Sequence, residues 1–153
     1  MNIDELREEI QADEGRVNEI YLCTESVKTT GIGHALKPHD IEYDLPVGTA
    51  ISDDRIDALF KQDVEIAIED CKYIFLSWDQ QNDEVKKILC NMAFQMGQNR
   101  LSKFKKMIAA LEAWPPDYDE AANQMYDSRW RRQTPNRANR LIARMRKVGE
   151  AEA

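Results

Sequence analysis

Apolar residues at helical spacing recur along this chain of 153 residues, but one extended stretch near the start interrupts them. From Val17 to about Leu36 the 3.6-residue period disappears. Tyr21, Val27, Thr29, Thr30 and Ile32 are strand formers, and Gly31 and Gly33 give the backbone places to turn. A short antiparallel sheet set in an otherwise helical sequence makes the fold class α+β, predominantly helical.

The surrounding punctuation sets the other elements. Ile3, Leu6 and Ile10 predict a first helix over residues 4–13, ending near Gly15, which puts Glu14 at its C-terminal end. Residues 37–50 hold Pro38, Pro46 and Gly48 and read as loop. The Ser52 hydroxyl can cap a long helix over 53–73, with Ile56, Leu59, Phe60, Val64 and Ala67 along one face. Further helices are predicted over 83–96, closed by Gly97, over 101–112, stopped by Trp114-Pro115-Pro116, and over 118–126. A last helix opens at Thr134-Pro135, with Thr134 as its N-cap, and the tail 149–153 is expected to fray. The whole is one domain over 1–153. A sheet lobe over about 13–51 is joined by the 53–73 helix to a helical lobe over 74–148 that also takes the N-terminal helix.

The chain is 42% hydrophobic and 32% charged, which suits one soluble domain with a sizeable core. No run approaches the roughly 20 apolar residues of a membrane span, and the N-terminus is acidic where a secretory leader is basic. No membrane insertion is expected, and synthesis and retention in the cytoplasm are. Cys23, Cys71 and Cys90 are an odd number without metal-ligand spacing, so neither a disulfide framework nor a metal site is expected.

The net charge of -7 hides an asymmetry: residues 1–90 hold 21 acids and 9 bases, residues 91–153 hold 7 acids and 12 bases. The basic run from Arg129 to Lys147 could meet a polyanion, but the acidic remainder would repel nucleic acid, and a helix with a solvated basic face is the favoured reading.

The chemistry lies in Glu14, Cys23 and Thr29, followed at once by Thr30-Gly31-Ile32-Gly33-His34. A carboxylic acid, a thiol and a hydroxyl close in sequence and bounded by two glycines can be gathered around one substrate bond along a hairpin. Such a group suggests glycoside hydrolysis, in which an acid must carry its proton to the departing sugar oxygen.

These residues resemble the phage-type lysozymes, or endolysins. Asp13-Glu14-Gly15, Thr30-Gly31-Ile32-Gly33-His34, Asn91-Met92-Ala93-Phe94-Gln95-Met96-Gly97, Ser128-Arg129-Trp130 and Gln133-Thr134-Pro135-Asn136-Arg137-Ala138 look like that family's blocks in the family's order, over almost the whole chain. The resemblance implies a two-lobed lysozyme-like fold whose cleft holds a peptidoglycan glycan strand. The expected reaction is cleavage between N-acetylmuramic acid and N-acetylglucosamine, without a cofactor.

By the same resemblance Glu14 matches the proton donor and Thr29 the hydroxyl that orients water. Cys23 stands where the best-known member has aspartate. It assists as thiolate, or it only packs the hairpin, and a nearby ionised Glu14 would oppose its ionisation. Glu25, two positions on, is a spare carboxylate on the Cys23 face. His34 matches a residue that lies close to the catalytic carboxylates and forms a structural ion pair, and it is grouped with the substrate-binding positions. Phe94 and Gln95 match glycan contacts, and Thr134, Asn136 and Arg137 the rim that reads the muropeptide. The stretch from His34 to Ser52 is shorter than in that member, so an extra helix there is expected to be missing. A monomer is expected, held in the host cytoplasm until a membrane lesion releases it to the wall. Two other readings stay open: a cysteine hydrolase of peptide cross-links using Cys23 and His34, and a non-catalytic wall- or nucleic-acid-binding module using the Arg129 to Arg146 region.

Overall fold

The structure, a computed structural model, describes residues 1–152. Helix α1 (Ile3–Glu14) begins where the Asn2 side chain accepts from the Glu5 N–H at 3.1 Å, and it buries Leu6 and Ile10 completely. Gly15 ends it in the left-handed region at φ 76. Three short strands follow, β1 (Val17–Leu22), β2 (Lys28–Gly31) and β3 (His34–Ala35), paired antiparallel in the order β1-β2-β3.

The turn between β1 and β2 is closed by Cys23 N–H donating to Val27 O at 3.0 Å and Ser26 N–H donating to Cys23 O at 2.9 Å. Tyr21 stands opposite Thr29, and the register slips between Val17 and Tyr21. The Thr30 hydroxyl donates to Glu19 O at 3.0 Å inside that irregular stretch. The outer edge of β1 is covered: Ile20 N–H donates to Thr49 O, Gly48 N–H to Ile20 O and Ile51 N–H to Asn18 O, all within 3.0 Å.

Between β3 and the next helix there are turns and no helix, as the sequence leads one to expect. That loop is fastened by polar contacts. Lys28 Nζ donates to Tyr43 O at 3.1 Å and Leu45 O at 2.6 Å, and the Arg55 guanidinium grips the buried Glu42 carboxylate at 2.6 and 3.1 Å.

Helix α2 (Asp53–Ile74) starts with the Ser52 hydroxyl accepting from Arg55 N–H at 3.2 Å. Its buried stripe is the expected one, Ile56, Leu59, Phe60, Val64 and Ala67. A 3-10 turn over Trp78–Gln80 leads to α3 (Asp83–Leu101), capped by Asn82. Gly97 was expected to close this helix. The helical geometry does end there, at φ 80, ψ 167, and a second helical segment continues beyond the kink to the fully buried Leu101. Helix α4 therefore begins late (Lys105–Glu112), and α5 (Tyr118–Tyr126) is capped by Asp117. A short α6 (Arg129–Gln133), capped by Ser128, has no counterpart in the sequence expectation. Helix α7 (Pro135–Glu152) includes most of the tail expected to fray: burial of Val148 holds its last turns, and Ala153 lies outside the described residues.

The chain forms two compact units, Arg7–Ile66 and a second made of Met1–Leu6 with the chain from Ala67 onward. The first carries the sheet on a core of Ile10, Ile20, Ile32, Ile56 and Leu59. The second is helical around Phe75, Ile88, Leu89, Met92, Met107 and Trp130, each large apolar side chain being worth about 1.5–3 kcal/mol when withdrawn from water. Cys71 and Cys90 sit wholly inside it. Their mutual hydrogen bond and then burial push the Cys71 thiol far above its ordinary value. Among the described residues no helix is long and apolar enough to cross a membrane, and no group of three or more His, Cys, Asp or Glu is placed to hold a metal ion.

Candidate active site

Glu14 is the last residue of α1, and the left-handed Gly15 turns the chain immediately after it. The next residue fixes that turn: Arg16 donates to Asp57 at 2.8 Å and to Asp53 at 2.9 Å, and Asn18 Nδ2 donates to Asp53 at 2.7 Å. This ties the start of β1 to the start of α2. The partly buried Glu14 carboxylate is thereby brought against the backbone of Gly33, where a built Cβ would stand 3.0 Å from Cδ and Oε1 and 3.1 Å from Oε2. Gly33 also has φ 67, so conformation and space both demand glycine. Gly31, at φ 64, is closed over in the same way by Ile56 at 3.0 Å.

Thr29 lies in β2, only 5% exposed, and its hydroxyl donates to Val27 O at 2.9 Å. Cys23 is the first residue after β1 rather than a strand residue, and it is partly buried. The Val27 N–H, then the Glu25 N–H, hold its sulfur below the ordinary thiol value against the effect of burial, with the Thr29 side chain close beside it. The Glu25 carboxylate opposes ionisation. The backbone donors win because the turn aims two N–H groups at one atom. Glu25 itself sits exposed in the turn, so strand alternation does not apply to it. Cys23 and Thr29 are thus brought together. The half-buried phenol of Tyr21 feels the charges of both Glu14 and Cys23 and is raised, by burial first and by those charges second.

His34, on β3, is 7% exposed and has both ring nitrogens committed: Nδ1 lies 2.6 Å from Asp63 and Nε2 2.9 Å from Asp40, which also accepts from Lys37 N–H at 2.7 Å. Burial pulls the imidazolium down, but the two carboxylates outweigh it and the net shift is upward. His34 has no nitrogen left to take a proton from Cys23, which removes the geometric basis of the cysteine hydrolase. Sequence reasoning did not identify Asp40 and Asp63, since nothing in their spacing from His34 marks them as partners.

The helical unit holds the other expected contacts. Gln95 has its amide orientation set: Oε1 accepts from Trp130 Nε1 at 2.8 Å, and Nε2 donates to Thr134 Oγ1 at 3.3 Å. Thr134 donates in turn to the backbone carbonyl of Trp130 at 3.0 Å, so its hydroxyl closes a ring of hydrogen bonds among the three residues. Arg137 is buried, with Nε donating to Asn91 Oδ1 at 2.9 Å, whereas Asn136 is exposed and Phe94 half-exposed. Trp130 was expected only as core; its indole N–H is what orients Gln95.

Comparison with known proteins adds a second line of evidence. The phage lysozyme family matches residues 11–147. A probable T4-type lysozyme 2 of Dictyostelium discoideum is 30% identical over 160 residues, covering 92% of this chain and 93% of that protein. A probable T4-type lysozyme 1 of the same organism is 29% identical with the same coverage. The pre-baseplate central spike protein of Enterobacteria phage T4 is 28% identical over 154 residues, covering 89% of this chain and 26% of that protein.

Proposed function

The chain belongs to the phage lysozyme family and is a lysozyme-type glycosidase, and from that premise we propose that it cleaves the β-1,4 bond between N-acetylmuramic acid and N-acetylglucosamine with Glu14 as proton donor. The observation that carries the reading is the seating of the Glu14 carboxylate on Gly33, in the same unit as the Cys23–Thr29 pair.

The proton balance follows from these groups. Glu14 protonates the glycosidic oxygen as the bond to the sugar carbon breaks. With its own proton on Val27 O, the Thr29 oxygen keeps lone pairs free to accept from a water molecule, so it orients that water without deprotonating it. The thiolate of Cys23 takes the water proton as the oxygen attacks the opposite face of the sugar, giving inversion. The cycle closes when Cys23 returns a proton to solvent and Glu14 recovers one. On the helical unit, Phe94 and Gln95 are the proposed glycan contacts, and Thr134, Asn136 and Arg137 the proposed readers of the peptide-bearing sugar. His34 supports the sheet unit rather than the reaction. In a phage setting the activity would serve host lysis, with the enzyme waiting in the cytoplasm for a membrane lesion.

The test is mass spectrometry of purified peptidoglycan digested with wild type and with Glu14→Gln. New reducing muramic acid ends from wild type alone are expected. Cleaved stem peptides on intact glycan would overturn the proposal.

A further inference from the structure

Tyr21 was read from sequence only as a strand former, and the reaction outlined above does not use it. Its cross-strand partner is Thr29. Residues directly opposite in an antiparallel pair project to the same face with their Cβ atoms about 5 Å apart. Cys23 follows immediately after the end of the same strand, and its charge reaches the phenol. Electrostatic reach to both Glu14 and Cys23 puts the phenol among the same groups from another direction. The phenol is half-buried, and among the described residues no protein group hydrogen-bonds its hydroxyl. A phenolic hydroxyl in a partly desolvated place ordinarily has a partner.

Length decides what that partner is. A phenol extends well beyond a threonine hydroxyl rooted beside it, so it is long enough to reach a ligand lying over Thr29. Burial and the neighbouring negative charges keep the hydroxyl protonated, and therefore a donor, at every pH at which the enzyme would work. We propose that Tyr21 is a substrate-positioning residue whose hydroxyl donates a hydrogen bond to an oxygen of the reacting sugar and whose ring forms the wall beside it. This rests on the glycosidase reading, and the ligand it implies is a hexose of the glycan strand.

The experiment compares wild type with Tyr21→Phe on purified peptidoglycan, reading reducing ends as kcat and KM separately, with the melting temperature of each protein. Phenylalanine keeps the ring and removes only the hydroxyl. The expected result is an unchanged melting temperature with kcat/KM lowered about tenfold, the scale of one lost hydrogen bond to a bound substrate. Equal kcat/KM for the two proteins would overturn the assignment while leaving the glycosidase reading intact. A fall in activity matched by a fall in melting temperature would make Tyr21 a packing residue and would overturn it too. No reducing ends from wild type would sink both proposals, since the hydroxyl would then have no sugar to hold.

Discussion

The carboxylate of Glu14 rests on the α-carbon of Gly33, with no room between them for a methyl group. Gly33→Ala would place a Cβ 3.0 Å from Cδ and force an L side chain to φ 67. The carboxylate is the flexible end of its side chain and can swing away, so the stability cost is mainly the left-handed backbone, about 1–2 kcal/mol. Activity should fall far more, roughly 100-fold, because the acid leaves its place. Denaturant melts and reducing-end assays on the same preparation check both figures.

Replacing Glu14 by Gln keeps size and removes the transferable proton. The expected loss is roughly 10²–10⁴-fold in turnover with the fold retained, read as kcat alongside a circular dichroism melt. A variant at half of wild-type activity would exclude Glu14 as the acid.

The three cysteines should separate cleanly in reactivity. Cys23 is partly exposed and its thiol lies below the ordinary value, whereas Cys71 is buried and pushed up by Cys90 and by burial. Iodoacetamide at neutral pH should label Cys23 alone in the native protein, and labelling should abolish activity. Peptide mapping after brief exposure gives the answer. Labelling of Cys71 or Cys90 before Cys23 would contradict it.

Stability should peak in mildly acidic solution because of the His34 cluster. The folded His34 lies above its ordinary 6.5, so its contribution is fully present below about 6.5 and is lost as pH rises through the raised folded value. Asp40, against the effect of burial, is held below its ordinary 3.8 by Lys37 N–H and His34, so its contribution is present above about 3.8 and is lost as pH falls through the lowered value. Melting temperature plotted against pH should fall on both sides of that window. His34→Gln should flatten the alkaline side, and an unchanged curve would refute the account.

How legible all this was in sequence depended on how local each interaction is. The strands, the Ser52 cap and the α2 stripe depend on near neighbours and on period, and they stand where expected. The left-handed glycines could be anticipated as turning points, but not that Gly33 would make room for Glu14, a packing fact between residues 19 positions apart. Gly97 reads as a stop because local rules give glycine that role, and the helical geometry does break there; what no local rule announced is the second short segment that runs on to buried Leu101. The partners of His34, the orienting bond from Trp130 to Gln95, and the donors around Cys23 are tertiary or turn geometry, and no pattern announces them. Tyr21 was within reach of sequence reasoning only through its pairing opposite Thr29, a register that the sequence does not state.

The acid, the thiol, the hydroxyl and the phenol all come from one helix end and one hairpin inside Arg7–Ile66. Closing so short a loop costs little chain entropy. The reacting groups are accordingly a cassette of local sequence: a single insertion within the hairpin would shift the register and scatter the thiol, the hydroxyl and the phenol together.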